Sequence, residues 1–321
     1  MDFWTFQKKL RRKLLYWLCW PYLAVKKNWS RKFYAKRILE RLKSRPPEPP
    51  NSKADLFFSA AFRVNSKERQ NILGVSVAET FKNLSGCGLR VGISDASIGE
   101  YVPGNREIFA KIGGLRIDYN VSNLKLPPAL LNLLGKAAEK YFLMFFDDQP
   151  IVGLTAEFLA ASCSLLSDFA GLVDLIYISD APKQIINHAN KTLIYNMADL
   201  IFRVRGVKPL CTVAYGNYSY AIIPNVLCGF FFNTIIAPAA DYRRRLKWYA
   251  DRVSANDPTE IEIVGSQYQG PVYHFLAVPL SVFQINIDYS HTESSVRNYP
   301  GAILEEICDA LKNNYRIIVK T

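Results

Sequence analysis

The chain has 321 residues, half of them apolar, with a formal net charge of +12, and its six cysteines show no CxxC or Cys/His spacing for zinc. The first 46 residues hold 14 Lys/Arg against Asp2 and Glu40, whereas the remaining 275 carry 26 charges of each sign. A neutral body argues against nucleic acid as a partner, scattered cysteines indicate reduced thiols in a cytosolic compartment, and the length suits one large α/β domain or two small ones.

Residues 1–46 interleave basic side chains with Trp4, Trp17, Trp20 and Trp29. Such a segment is attracted to anionic lipid and sits at the headgroup level. Its longest apolar run, Leu14 to Val25, is twelve residues with Pro21 inside. A spanning helix needs roughly 20. A signal peptide would show a small-residue cleavage site, whereas here Lys26 and Lys27 follow. The expectation is a basic amphipathic helix lying on the cytoplasmic face of a membrane, so that the protein is peripheral. Docking on a partner or on the body, and nucleic-acid binding, are the alternatives. Pro46, Pro47, Pro49 and Pro50 form a stiff spacer and mark a boundary near residue 52.

Beyond the spacer, strands and helices alternate. Leu56–Phe62 reads as a buried strand. A helix opens in the polar stretch Arg63–Arg69 and runs through Val75, Val77, Phe81 and Leu84, until Gly86 and Gly88 stop it. Leu89–Ser94 is a second strand ending at Asp95. Asn105–Ile112 is a short helix, Leu115–Tyr119 a third strand, and Pro127 and Pro128 start another helix. Tyr141–Phe146 is a fourth strand, closed by Asp147, Asp148 and Gln149. This alternation predicts an α/β fold with a mostly parallel sheet and helices on both faces. Ligands of such sheets bind beyond the carboxyl ends of the strands. Asp95 and Asp147/Asp148 lie at two such ends and should approach one crevice. Two adjacent carboxylates after an apolar strand suit Mg²⁺ or Mn²⁺, which prefer one or two carboxylates plus phosphate oxygens. A solvated turn is the alternative.

The order of these features resembles the nucleotide-binding half of GT-A fold glycosyltransferases, particularly the family 2-like group, over residues 54–155. Four passages carry the resemblance. They are the first strand with Ser76-Val-Ala-Glu-Thr-Phe-Lys-Asn-Leu84, then Ile93-Ser-Asp-Ala-Ser97, then Asp118-Tyr-Asn-Val-Ser-Asn123, and finally Tyr141-Phe-Leu-Met-Phe-Phe-Asp-Asp-Gln149. The resemblance implies a nucleotide-sugar donor and a Mn²⁺ or Mg²⁺ cofactor held at a DxD-like motif by Asp147 and Asp148. It implies that Asp95 contacts the base or ribose, with Asn123 also on the donor side; a helix or turn cap is the alternative for Asp95. Gln149 stands where the usual motif ends in Asp, which leaves open which residue fills the metal-ligand place. The implied organisation is a basic membrane-surface segment (1–46), a Pro-rich linker (47–53), a nucleotide-sugar-binding half (54–155) and an acceptor half (156–321).

The second half is less informative. Pro209–Ala240 has no charged residue. It reads as a buried core segment, with a membrane-dipping surface or a span as alternatives. A transferase of this type needs a base for the acceptor hydroxyl. Glu260 and Glu262, on one side of an alternating stretch, are the candidates, against a solvated strand edge. The resemblance implies His291 as a metal ligand and Arg297 as a diphosphate contact, with a hydrogen-bonded loop histidine as the alternative for His291. The basic cluster Tyr242–Trp248 reads as a phosphate contact or a solvated helix face. The expected function is a membrane-associated glycosyltransferase acting on a carbohydrate or lipid-linked acceptor, in surface polysaccharide or glycolipid synthesis. A nucleotidyltransferase is the enzymatic alternative, disfavoured because Ser59–Arg63 lacks a Gly-rich loop. A non-catalytic membrane-recruited scaffold of the same fold is the other.

Overall fold

A computed structural model describes residues 32–33, 35–44, 54–124, 126–178, 184–187, 190, 192–196, 209–225, 234–251, 274–284 and 316–320. The chain divides into two compact units, Met1–Pro46 and Pro47–Thr321. In the first, residues 35–44 are helical, with Lys36 and Glu40 paired one turn apart at 3.7 Å. Among the described residues no helix is long and apolar enough to cross a membrane.

The second unit begins with β1 (Leu56–Phe62), α1 (Lys67–Phe81), β2 (Arg90–Asp95), α2 (Val102–Ala110), β3 (Arg116–Val121), α3 (Leu126–Gly135) and β4 (Tyr141–Phe145). These seven elements fall where the sequence places them, within a few residues. Helix α2 starts three residues ahead of the expected Asn105, because Pro103 fits a first helical turn, where its missing N–H costs nothing. There follow β5 (Ile151–Val152), α4 (Ala156–Asp168), β6 (Leu175–Ile178), β7 (Gln184–Asn187), β8 (Thr192–Asn196), β9 (Cys211–Tyr215), β10 (Tyr218–Asn225), β11 (Thr234–Pro238), α5 (Ala239–Ala250), β12 (His274–Pro279), β13 (Phe283–Gln284) and β14 (Arg316–Lys320).

Nine strands form the main sheet in the order β3-β2-β1-β4-β11-β6-β12-β10-β9. β3, β2, β1 and β4 pair in parallel, and β12 pairs in parallel with β6. β11 runs antiparallel between β4 and β6, and β10 antiparallel between β12 and β9. Seven strands therefore point one way and two the other. The expected α/β class, a mostly parallel sheet with helices on both faces, is observed. β9, β10 and β11 come from the uncharged stretch 209–240; Tyr220–Ile223 and Thr234–Ala237 are buried in the sheet, whereas the edge strand β9 exposes Thr212 and Ala214, and residues 226–233 lie outside the described set.

Period-two alternation along the strands builds two apolar layers. On one face Phe57, Phe142, Met144, Leu175, Ile235 and Leu276 pack with Leu130, Leu133 and Leu134 of α3 and Tyr242, Leu246 and Tyr249 of α5. Gly92 of β2 lies beneath this layer, and a Cβ there would meet the Phe57 ring at 2.4 Å. On the opposite face Phe58 and Phe145 meet Phe81 of α1, with ring centroids 4.8 and 5.8 Å from it. Phe158 of α4 packs there on Tyr218 and Tyr220.

Candidate active site

The strand order creates a switch point. From β1 the chain steps outward to β2 and β3, then returns to place β4 on the other side of β1. In open α/β sheets ligands bind where connections leave in opposite directions, which here is beyond the carboxyl ends of β1 and β4. The residues after β4 form a tight turn there. Gln149 N donates to Phe146 O at 3.2 Å, which leaves Asp147 and Asp148 as its two central residues. The turn's far side is tied down by Ile151 N donating to the buried Thr80 Oγ1 of α1 at 2.9 Å.

Helix α1 supplies the partner of these carboxylates. Ser66 caps it in extended conformation, its hydroxyl accepting from Arg69 N at 3.2 Å. That cap sets the first turn so that Arg69 reaches across 78 residues of sequence. Its Nη2 donates to Asp147 Oδ2 at 2.7 Å, and its Nη1 lies 3.7 Å from Asp148 Oδ2. All three side chains are largely withdrawn from water, at 16%, 10% and 15% exposure. Burial and the neighbouring Asp148 charge push the Asp147 carboxyl up, against the opposing pull of Arg69. Arg69 thus faces both carboxylates of the turn.

Asp95 is placed differently. It ends β2 and is fully buried. One carboxylate oxygen accepts from Ser97 N at 2.8 Å; the other accepts from Asn105 Nδ2 at 3.1 Å and from the Tyr119 hydroxyl. Burial and the Asp95 charge raise the Tyr119 hydroxyl far above the usual phenol range, so it stays a donor. Asn105 in turn accepts from Gln70 Nε2 at 3.1 Å, and Gln70 Oε1 accepts from Lys67 at 2.8 Å. A chain of hydrogen bonds thus links the first turn of α1 to the end of β2. Between Asp95 and the Asp147–Asp148 turn lies β1, so the strands carrying them are two spacings apart, about 10 Å. Asn123 is exposed just past β3. Glu260, Glu262, His291 and Arg297 lie outside the described residues.

Do the residues present fit a divalent ion? Asp147 and Asp148 provide hard carboxylate oxygens, the donors such ions prefer. Gln149 Oε1, in the same turn, is buried without a hydrogen-bond partner, and a neutral amide oxygen suits such an ion. Among the described residues no group of three His, Cys, Asp or Glu could hold a metal by itself. The donor set therefore fits an ion whose coordination is completed by phosphate oxygens or water, as Mg²⁺ prefers.

Arg69 was not singled out in the sequence, where Arg63–Arg69 reads only as the polar start of a helix. Its signal is the Ser-x-x-Arg spacing at the first helix after the first strand. Asn105 and Tyr119 carry no such signal. The basic cluster of α5 is split: Arg245 is buried, Arg243 donates to Leu134 O at 3.3 Å, and Arg244 pairs with Asp241.

No protein-family model matches the chain, and no curated protein does. Among solved structures it is similar to Staphylococcus aureus TarS 1-349 in complex with UDP-GlcNAc, at 11% identity, covering 81% of this chain and 67% of that one, with a TM-score of 0.42. It is similar to HddC from Yersinia pseudotuberculosis, at 11% identity, 81% and 99% coverage and a TM-score of 0.41. A third is the mannosyltransferase PcManGT from Pyrobaculum calidifontis in complex with GDP-Man and Mn²⁺, at 14% identity, 87% and 77% coverage and a TM-score of 0.38. At these identities none transfers a residue role to this chain.

Proposed function

We propose that the chain is a glycosyltransferase that moves a sugar from a nucleotide-sugar donor to a carbohydrate or lipid-linked acceptor. The observation that carries this reading is the paired-carboxylate turn, Asp147–Asp148, at the switch point between β1 and β4. That place suits a nucleotide, and those side chains suit the ion that accompanies a diphosphate. Asp147 and Asp148 would hold Mn²⁺ or Mg²⁺, with Gln149 Oε1 the available neutral donor. Such an ion stabilises negative charge on the departing diphosphate. Arg69 holds the turn against the repulsion of its two carboxylates. On the acceptor side, Glu260 or Glu262 is the proposed base that takes the acceptor's hydroxyl proton. His291 is proposed for the metal, and Asp95, Asn123 and Arg297 for the donor.

Residues 1–46 are proposed to hold the protein on an anionic membrane, at a cytoplasmic face where a lipid-linked acceptor of surface polysaccharide or glycolipid synthesis would be presented. Their +12 charge and four tryptophans support this.

Calorimetry of the full chain against UDP-, GDP-, CMP- and dTDP-sugars, with and without Mn²⁺, tests the enzymatic part. Metal-dependent binding of one class, lost in Asp148→Ala, is expected. A folded protein that binds none of them removes the transferase reading. Flotation with phosphatidylcholine vesicles, with and without phosphatidylglycerol, tests the tail. Binding that needs the anionic lipid and falls with salt is expected; equal partition to both removes the electrostatic reading.

A further inference from the structure

Before any donor arrives, the site already contains a cation. Arg69 Nη2 sits at hydrogen-bond distance, 2.7 Å, from Asp147 Oδ2, and its Nη1 is 3.7 Å from Asp148 Oδ2. The three side chains are 16%, 10% and 15% exposed, so the pair is shielded from water and its electrostatics are strong. A divalent ion approaching the same two carboxylates alone would have to displace the guanidinium or bind beside it. Either is unfavourable.

A diphosphate changes this balance. Arginine's planar fork matches phosphate oxygens as well as it matches carboxylate. Arg69 stands in the first turn of α1, the helix end that favours anions. Its backbone is held by the Ser66 cap, so its side chain can turn from one oxygen set to another without moving the helix. The positive charge of the ion and the negative charge of the diphosphate then enter together, and the net charge of the site stays close to its resting value.

We propose that Arg69 is the resident counter-cation of the Asp147–Asp148 pair, and that it exchanges partners on donor binding. The divalent ion takes the carboxylates and the diphosphate takes the guanidinium. Metal and diphosphate therefore bind as a set, each weakly on its own. This rests on the transferase reading above. It makes Arg69 both a ligand of the diphosphate and a restraint on unproductive metal binding.

The test titrates Mn²⁺ into the full chain, following free Mn²⁺ by electron paramagnetic resonance, with and without inorganic pyrophosphate, and with a protein-free blank for Mn²⁺–pyrophosphate. Pyrophosphate makes the result independent of base and sugar. The wild type is expected to bind Mn²⁺ weakly alone and more tightly with pyrophosphate. In Arg69→Gln, Mn²⁺ alone should tighten by about tenfold or more, because a positive neighbour is gone. Pyrophosphate should weaken by about tenfold, and the cooperation between the two should shrink. Arg69→Lys keeps the charge and loses the fork, so Mn²⁺ alone stays weak while pyrophosphate still weakens. Lys67→Ala removes a like charge from the same helical turn and should change neither by more than about twofold. Circular dichroism melts confirm that each variant is folded. If the wild type binds both probes and Arg69→Gln leaves both affinities unchanged, the exchange is refuted and the transferase reading stands. If a folded Arg69→Gln loses Mn²⁺ affinity along with pyrophosphate, Arg69 merely arranges the carboxylates and the exchange is refuted. A wild type that binds neither probe overturns both readings.

Discussion

Asp95 is proposed for the donor yet accepts three hydrogen bonds from its own chain, and one substitution measures what those bonds contribute. A carboxylate at the end of β2 is expected to contact a nucleotide. In the structure it is fully buried and accepts from Ser97 N, Asn105 Nδ2 and the Tyr119 hydroxyl. Asp95→Ala removes all three acceptances. Asn105 Nδ2 retains a second acceptor, Ser97 Oγ at 3.1 Å, so two donors are left without a partner. Each stranded donor costs about 1–3 kcal/mol, and bonds to a charged acceptor are at the upper end. The expected loss is therefore about 3–5 kcal/mol, a large share of the roughly 5–15 kcal/mol of a typical domain. With a urea m-value of about 3 kcal/mol/M, the midpoint should fall by between about 1 and 2 M. Asp95→Asn keeps one acceptor oxygen and should lose less, about 1–3 kcal/mol. Urea unfolding followed by tryptophan fluorescence measures both, with nucleotide-sugar calorimetry alongside. A loss under about 1 kcal/mol in Asp95→Ala would refute the structural account, and abolished nucleotide binding alongside it would leave the donor contact as the role of Asp95.

Three further outcomes are expected. Gly92→Ala places a methyl group 2.4 Å from the Phe57 ring and 3.2 Å from Leu133. That ring is stacked on Phe142 in the core, so a destabilisation of about 1–3 kcal/mol is expected in the same urea assay. Thr80→Val leaves the N–H of Ile151 without its acceptor. It should cost about 1–3 kcal/mol and weaken Mn²⁺–pyrophosphate binding, with Thr80→Ser restoring both; unchanged binding would show that the turn is held by other means. Burial raises the Glu79 carboxyl above its ordinary value despite the Lys82 ammonium 2.6 Å away. The folded state thus holds that proton more tightly than the unfolded chain, and this group's contribution to stability falls as pH rises through the raised value. The stability of Glu79→Gln relative to wild type should accordingly be higher at pH 7 than at pH 4, which unfolding at the two pH values measures.

The parts of this protein that its sequence determined are those set by short-range periodicity. Runs such as Leu56–Phe62 and Tyr141–Phe145 alternate or cluster apolar side chains within one strand length. The Ser66 cap, the glycines at 86 and 88 with positive φ, and Pro103, Pro127 and Pro128 in first turns punctuate the helices between them. The α/β order and the position of the Asp147–Asp148 turn at a strand's carboxyl end follow from those signals. Tertiary structure decided what these residues meet. Arg69 finds Asp147 only because β4 returns to the far side of β1. Tyr119 finds Asp95 only because β2 and β3 pair in parallel with Asp95 opposite Val121. Arg245 is buried while its neighbours Arg243 and Arg244 reach other partners, because α5 packs one of its faces on α3 and the sheet. Apart from the local Arg244–Asp241 pair, such contacts join residues tens of positions apart. Hydrophobic patterning along the chain specifies which side of an element faces inward, whereas the charge or hydroxyl waiting there is supplied by another element.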